Sequence, residues 1–324
     1  MNKNDKIYVA GHRGLAGSAL VRQLKAAGYT NIVTRTHTEL DLTNQVAVQG
    51  FFKSERPDHV LLAAAKVGGI HANNVLPADF ILQNLAIQSN VITEAWLHGV
   101  KRLLFLGSSC IYPRDCPQPI RESYLLTGPL EPTNRPYAIA KIAGIEMCWA
   151  LNRQHHTRFI AAMPNNLYGP GDNYDLENSH VLPALIRKMH EAKSRGDKDV
   201  VIWGTGTPRR EFVYSDDMAN ACVLLMQMPE TEFDIVLNPP AEDNHPPLVN
   251  IGYGNDLTIR ELAETIIGIV GFKGKLVFDT SKPDGTPRKI LDVRRMNQLG
   301  WQPKIGLAEG IALAYQDFLT AGIK

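Results

Sequence analysis

The sequence has little of what marks several protein classes. It holds only four cysteines, Cys110, Cys116, Cys148 and Cys222, with no CxxC spacing. That excludes a disulfide framework and a thiolate zinc site, and no metal is expected. No window approaches the roughly 18 consecutive apolar residues of a membrane span, so no membrane partner is expected. The opening stretch MNKNDKIYVAGHRG has no apolar segment ahead of a small-residue cleavage site, which points to a cytoplasmic protein. Charge of one sign is also missing: 34 Lys+Arg against 33 Asp+Glu leave a net +1. No whole-protein field then favours nucleic acid, and any phosphate recognition must come from a local cluster.

What is present is an ordinary globular balance, 44% hydrophobic and 21% charged over 324 residues, enough for one large domain or two closely joined ones. Short apolar runs alternate with helical patterns through the first half, the signature of a parallel sheet in an α/β fold. Strands are expected near Ile7–Ala10, Asn31–Arg35, Val60–Ala65, Arg102–Cys110 and Phe159–Met163. Helices are expected over Leu15–Ala27, Pro77–His98 and Tyr137–Arg153. After Asn166 the texture turns loop-rich. A helix (Leu182–Lys193), a strand (Val200–Trp203), a helix (Ser215–Gln227), an irregular insertion (Ala241–Pro247), a strongly amphipathic helix (Thr258–Val270), a strand (Leu276–Asp279) and a last helix (Leu307–Leu319) follow. The pattern predicts a Rossmann-type doubly wound sheet with a smaller α/β lobe stitched into it. The expected division is 1–168 plus about 211–246 for the nucleotide, and about 169–210 plus 247–324 for the substrate.

Gly11, Gly14 and Gly17 form GxxGxxG between a predicted strand and a predicted helix. Glycine there permits a tight turn and close approach of a pyrophosphate, which sits on the positive end of the helix. An NAD site usually places an acid at the end of the second strand. Here that place reads Arg35-Thr36-His37, with Arg13 inside the glycine loop. Two arginines and a histidine suit a 2′-phosphate, so NADP is expected over NAD; Glu39 and Asp41 are the alternative acids.

Tyr137 and Lys141, in YAIAK, lie four apart and so share one helix face. An ammonium there favours the phenolate, and the tyrosine can trade a proton with a carbonyl oxygen. Ser108, at the end of a predicted strand, can bond the same oxygen. Cys110 follows two positions later, so strand alternation points it the same way.

Longer strings carry a resemblance: AGHRGLAGSA, LAAAKVGGI, LLFLGSSCIYP, EPTNRPYAIAKIAGIEMC, MPNNLYGP, SHVLPALIRK, WGTGTPRREF and KPDGTPRK. Across nearly the whole chain they resemble the extended nucleotide-sugar branch of the short-chain dehydrogenase/reductase superfamily. The resemblance implies an NADPH-dependent enzyme that epimerises C3 and C5 of GDP-4-keto-6-deoxy-mannose and reduces C4, with no nucleic-acid partner. It implies Cys110 as base, His180 as acid, and Tyr137, Ser108 and Lys141 as the reduction set. For NADP(H) it implies Gly11, His12, Arg13, Gly14, Leu15, Ala16, Gly17, Arg35, Leu106, Gly107, Ser108, Ser109, Lys141, Pro164, Asn165, Asn166, Leu167 and His180. For the substrate it implies Lys188, Trp203, Arg210 and Asp284, with Arg209 as a substitute for Arg210.

Two positions depart from the family's pattern: Asn165 stands where threonine is usual, and His37 where some relatives carry a phosphate-binding arginine. The long helices Pro77–His98 and Tyr137–Arg153 are where relatives form a homodimer. Two rival readings remain: C5 epimerisation with C4 reduction of a 3,6-dideoxy-4-keto sugar, and a non-catalytic NADP-binding sensor.

Overall fold

The structure, a computed structural model, describes every residue except 177–178, 240–244, 283, 285 and 322–324. Its centre is a six-stranded sheet in the order Leu248–Ile251, Phe159–Pro164, Arg102–Leu106, His59–Leu62, Ile7–Ala10, Ile32–Val33. Every neighbouring pair is parallel. The strands read as continuous apolar runs because both faces are covered. Tyr8, Val60, Leu103 and Phe159 point into one core, with Val91, Ile92, Ile142 and Ile145 of the helices Pro77–Leu97 and Arg135–His155. Ile7, Leu61, Leu104 and Ile160 point into the other, against Leu20 and Leu24 of the helix Leu15–Ala26 and Met218, Cys222 and Leu225 of the helix Ser215–Gln227. This is the expected α/β fold.

A third core belongs to the smaller lobe. The helices Val181–Arg195, Ile259–Val270 and Leu307–Ala321 meet there through Leu185, Ile186, Ile266 and Phe318. The helix Ile259–Val270 is stopped at both ends by local chemistry: Thr258 and Glu261 form a capping box, and Gly271 takes the left-handed conformation (φ +74). Lys275–Asp279 and Asp199–Trp203 pair in parallel. Arg209–Arg210 sits between Leu257–Thr258 and Arg288–Lys289.

Two differences from the sequence expectation matter. The strand predicted over Arg102–Cys110 ends at Leu106, and Ser109–Ile111 forms a 3-10 turn capped by Ser108. Strand alternation therefore does not aim Cys110; the turn does. The strand Leu248–Ile251, expected within the substrate lobe, pairs with Phe159–Pro164 as an edge of the large sheet. Most of the predicted insertion Ala241–Pro247 lies outside the described residues; Pro247 accepts a hydrogen bond from the Ala161 amide at 3.0 Å.

Candidate active site

The strand order reverses between Ile7–Ala10 and His59–Leu62, and open α/β sheets bind ligands at such a reversal, beyond the strands' carboxyl ends. The glycine loop lies there. Gly11 has φ +85, and a β-carbon on it would stand 2.7 Å from the Ala64 nitrogen. A β-carbon on Gly17 would run into the Gly11 carbonyl, so this is where helix and loop touch. The helix Leu15–Ala26 starts at Gly14 with no side-chain cap and no acid in its first turn. Its first amides are thus offered to an anion. His12 adds a buried Nδ1 with no hydrogen-bond partner. These residues fit a dinucleotide pyrophosphate.

At the adenosine end the expected cluster divides. The Arg35 guanidinium is engaged with Glu55 at 2.5 Å and with the Thr34 carbonyl at 2.8 Å. Arg13 is exposed at the loop, and His37 is exposed with its Nδ1 3.8 Å from Asp41. Glu39 accepts bonds from the Thr36 amide and hydroxyl, and Asp41 does the same for Thr43; these bonds hold both carboxyls below their usual range. Both acids are committed to their own turns.

The helix Arg135–His155 carries Tyr137 and Lys141 on one face, as the four-residue spacing requires. Lys141 is buried and donates to the Leu106 carbonyl at 2.8 Å, and burial pushes its pKa down to about 7. Tyr137 moves the other way from the sequence expectation. Desolvation raises its pKa, the neighbouring Cys110 adds to the rise, and the Ser108 hydroxyl opposes it. Lys141, 5.9 Å from the ring centre, does not hold it as phenolate. These influences favour the protonated hydroxyl, the form that donates a proton.

Cys110 is half-buried at the turn. Its sulfur receives an N–H from Asn134 at 3.2 Å and faces the Lys289 ammonium at 3.7 Å. Its amide donates to Ser108 Oγ at 3.3 Å. A thiolate there would meet an amide N–H and a positive charge. His180 caps the helix Val181–Arg195 through its backbone only; it keeps an exposed face, while desolvation by the atoms around its ring, then the Lys289 charge, pushes its pKa down. Lys289 thus acts on both expected acid–base residues. A cavity beside Cys110 is lined by Tyr112, Arg114, Gln118, Glu131, Asn134 and Lys289, among others. Sequence reasoning missed Asn134, Lys289 and Glu211. All three lie inside strings named above, but nothing in their spacing from Cys110 gives proximity.

The four expected substrate residues fall in one neighbourhood. The Lys188 ammonium lies 5.4 Å from the Trp203 ring centre, and Lys282 lies 5.5 Å from it. Trp203 is 64% exposed, which leaves a large aromatic face for a base or sugar. Asp284 accepts from the Thr205 amide at 2.9 Å and its hydroxyl at 2.7 Å, and its charge acts on Arg210. Arg210 donates to the Thr286 carbonyl at 2.6 Å. Arg209, the possible substitute, is paired with Asp256 at 2.8 Å.

A parallel sheet with a glycine-cradled helix at its reversal, and a serine, tyrosine and lysine beside it, defines a Rossmann-type enzyme that works with a nicotinamide dinucleotide. The chain belongs to the NAD dependent epimerase/dehydratase family, whose sequence pattern matches residues 7–238. It is 58% identical over 319 residues to a protein named putative GDP-L-fucose synthase 2 from Arabidopsis thaliana, covering 98% of this chain and 93% of that one. The GDP-L-fucose synthase of Escherichia coli K12 is 55% identical over 316 residues, covering 97% and 96%. A GDP-L-colitose synthase from Yersinia pseudotuberculosis is 37% identical, covering 97% and 98%. Among solved structures, a GDP-L-fucose synthetase from Naegleria fowleri bound to NADP superposes with a TM-score of 0.87 at 28% identity, covering 100% and 98%. No described helix is long and apolar enough to cross a membrane.

Proposed function

We propose that the protein converts GDP-4-keto-6-deoxy-D-mannose to GDP-L-fucose, epimerising C3 and C5 and then reducing C4 with NADPH. One observation carries this reading: Lys289 acts on both Cys110 and His180, and Cys110 in turn acts on Tyr137, so the acid–base pair and the reducing set adjoin. Cys110 removes a proton from the carbon beside the ketone, leaving an enolate. His180 returns a proton to the opposite face, and the centre is inverted. The nicotinamide supplies the hydride for C4. Tyr137 gives its hydroxyl proton to the C4 oxygen, Ser108 orients that oxygen, and Lys141 holds the ribose. The glycine loop cradles the pyrophosphate, and the exposed Arg13 and His37 receive the 2′-phosphate. Lys188 and Arg210 meet the GDP diphosphate, with Trp203 and Asp284 at base or sugar. The identity to the fucose synthases, above that to the colitose synthase, favours the 6-deoxy sugar over the 3,6-dideoxy one.

We place a homodimer on the long helices, where Leu82 and Leu97 are 65% and 57% exposed on one and Ile139 is 43% exposed on the other. Light scattering of the purified protein tests it, and a monomer at micromolar concentration refutes it. For the reaction, purified protein is mixed with NADPH and GDP-4-keto-6-deoxy-mannose, NADPH loss is followed, and the sugar is identified by NMR. GDP-fucose as product supports the proposal; a C4-reduced but unepimerised sugar overturns the roles of Cys110 and His180.

A further inference from the structure

Asn165 was expected at the nicotinamide, yet its side chain is turned inward and buried. Its Oδ1 accepts from the Ser109 hydroxyl at 3.2 Å, and Ser109 opens the turn that carries Cys110. Its Nδ2 donates to Glu211 Oε2 at 2.5 Å and reaches the Lys289 carbonyl at 3.4 Å. Glu211 has no exposed surface. Besides Asn165 it accepts the Leu291 amide at 3.0 Å and the Gly254 amide at 2.6 Å, with the Tyr253 amide also bonded to it. A β-carbon on Gly252 would press on this carboxylate, so the pocket around it is closed on that side too.

We propose that Asn165 and Glu211 form a positioning bridge that sets the distance between Cys110 and Lys289, and through it the rate of epimerisation. Cys110 comes from the turn after a strand of the large sheet, and Lys289 from a two-residue strand of the smaller lobe. Nothing covalent joins them nearby. The bridge does: one of its ends is bonded one residue before Cys110, the other two residues after Lys289. A buried carboxylate held only by N–H donors has few alternative arrangements, since each lost bond strands a polar group away from water. Its geometry is therefore transmitted rather than absorbed. Proton transfer is sensitive to displacements of about 1 Å, so loosening the bridge acts on the Cys110 step. Tyr137 and Lys141 stand on a different element, the helix Arg135–His155, and of the reducing set only Ser108 neighbours the bridge, through Ser109.

The inference rests on the proposed epimerase–reductase reading, and the test separates the two. Deuterium uptake at C3 and C5 of the keto sugar is measured by mass spectrometry in D2O with NADP+, and NADPH oxidation is measured in parallel. Asn165→Val and Asn165→Thr have the same shape, but only threonine keeps a hydroxyl that can donate toward Glu211 and accept from Ser109. Asn165→Val is expected to slow deuterium uptake at least about tenfold more than NADPH oxidation, with unepimerised product accumulating. Asn165→Thr is expected to restore the ratio. Glu211→Gln, which sets an amide N–H2 against amide donors, is expected to shift it as Asn165→Val does. Thermal melts accompany each variant, and one that fails to fold is replaced by the other. Equal losses in uptake and oxidation, or unchanged uptake in Asn165→Val, overturn the bridge. Absence of uptake by the unaltered protein overturns instead the epimerase reading beneath it.

Discussion

The Lys289 ammonium lies 3.7 Å from the Cys110 sulfur, although 179 residues separate the two. The same ammonium lowers the pKa of His180, second only to burial. Replacing it tests both effects at once. In Lys289→Met the His180 imidazole should titrate at higher pH, because the opposing charge is gone while the desolvation stays. Uptake of deuterium at C3 and C5 should slow. Histidine NMR across pH 5–8 reads the first effect; a His180 that titrates unchanged would remove Lys289 from its surroundings.

The adjoining sets should be separable by single changes. Cys110→Ser should cut carbon–proton exchange by about 10²–10⁴ while C4 reduction continues, giving an unepimerised product. Tyr137→Phe should do the reverse, stopping NADPH oxidation and leaving exchange measurable. Product NMR with parallel exchange measurements distinguishes them, and loss of both activities in each variant would mean that the sets are not distinct.

Lys141 ties stability to pH. Its ordinary pKa in the unfolded chain is near 10.5, and burial brings it to about 7 in the fold. Between those values the unfolded chain binds more protons than the folded one, so this residue's contribution to stability rises with pH. Below about 7 its full cost is present. Lys141→Met should therefore raise the melting temperature of the cofactor-free protein at pH 6, and the gain should shrink toward pH 10 while activity is lost. Melts of both proteins across that range check the sign; a gain that grows with pH refutes it.

Gly17→Ala isolates the cradle. The added methyl would meet the Gly11 carbonyl, backbone that cannot swing aside. The helix must shift from the loop, and NADPH affinity should fall by at least about tenfold, roughly 1.4 kcal/mol. Fluorescence titration measures it. Gly14→Ala, whose added methyl would stand 3.6 Å from the same carbonyl, should be far milder.

The sheet and its helices were readable because burial on both faces leaves continuous apolar runs, and because Gly11, Gly14 and Gly17 punctuate the first crossover. The pair Tyr137 and Lys141 was readable because helical spacing converts sequence distance into a shared face. Cys110 was singled out for a reason that does not hold: Ser108 bonds the following amide, so the chain turns where a continued strand was expected. Arg35 is expected at a 2′-phosphate because it follows the second strand; its ion pair with Glu55, 20 residues on, does not show in that local pattern. Lys289 meets Cys110 from 179 residues away, Glu211 meets Asn165 from 46 and Asn134 meets Cys110 from 24, and no local periodicity encodes such distances.

The edge strand Leu248–Ile251 reaches the large sheet only after the chain has left it and built part of the other lobe. The two lobes are consequently not separable modules. A fragment ending at residue 238, where the family's shared pattern stops, would uncover the hydrogen-bonding edge of Ala161–Pro164 and invite sticking to other chains. Swapping the smaller lobe between relatives by a single cut meets the same obstacle: the large sheet is completed by residues borrowed from beyond the join.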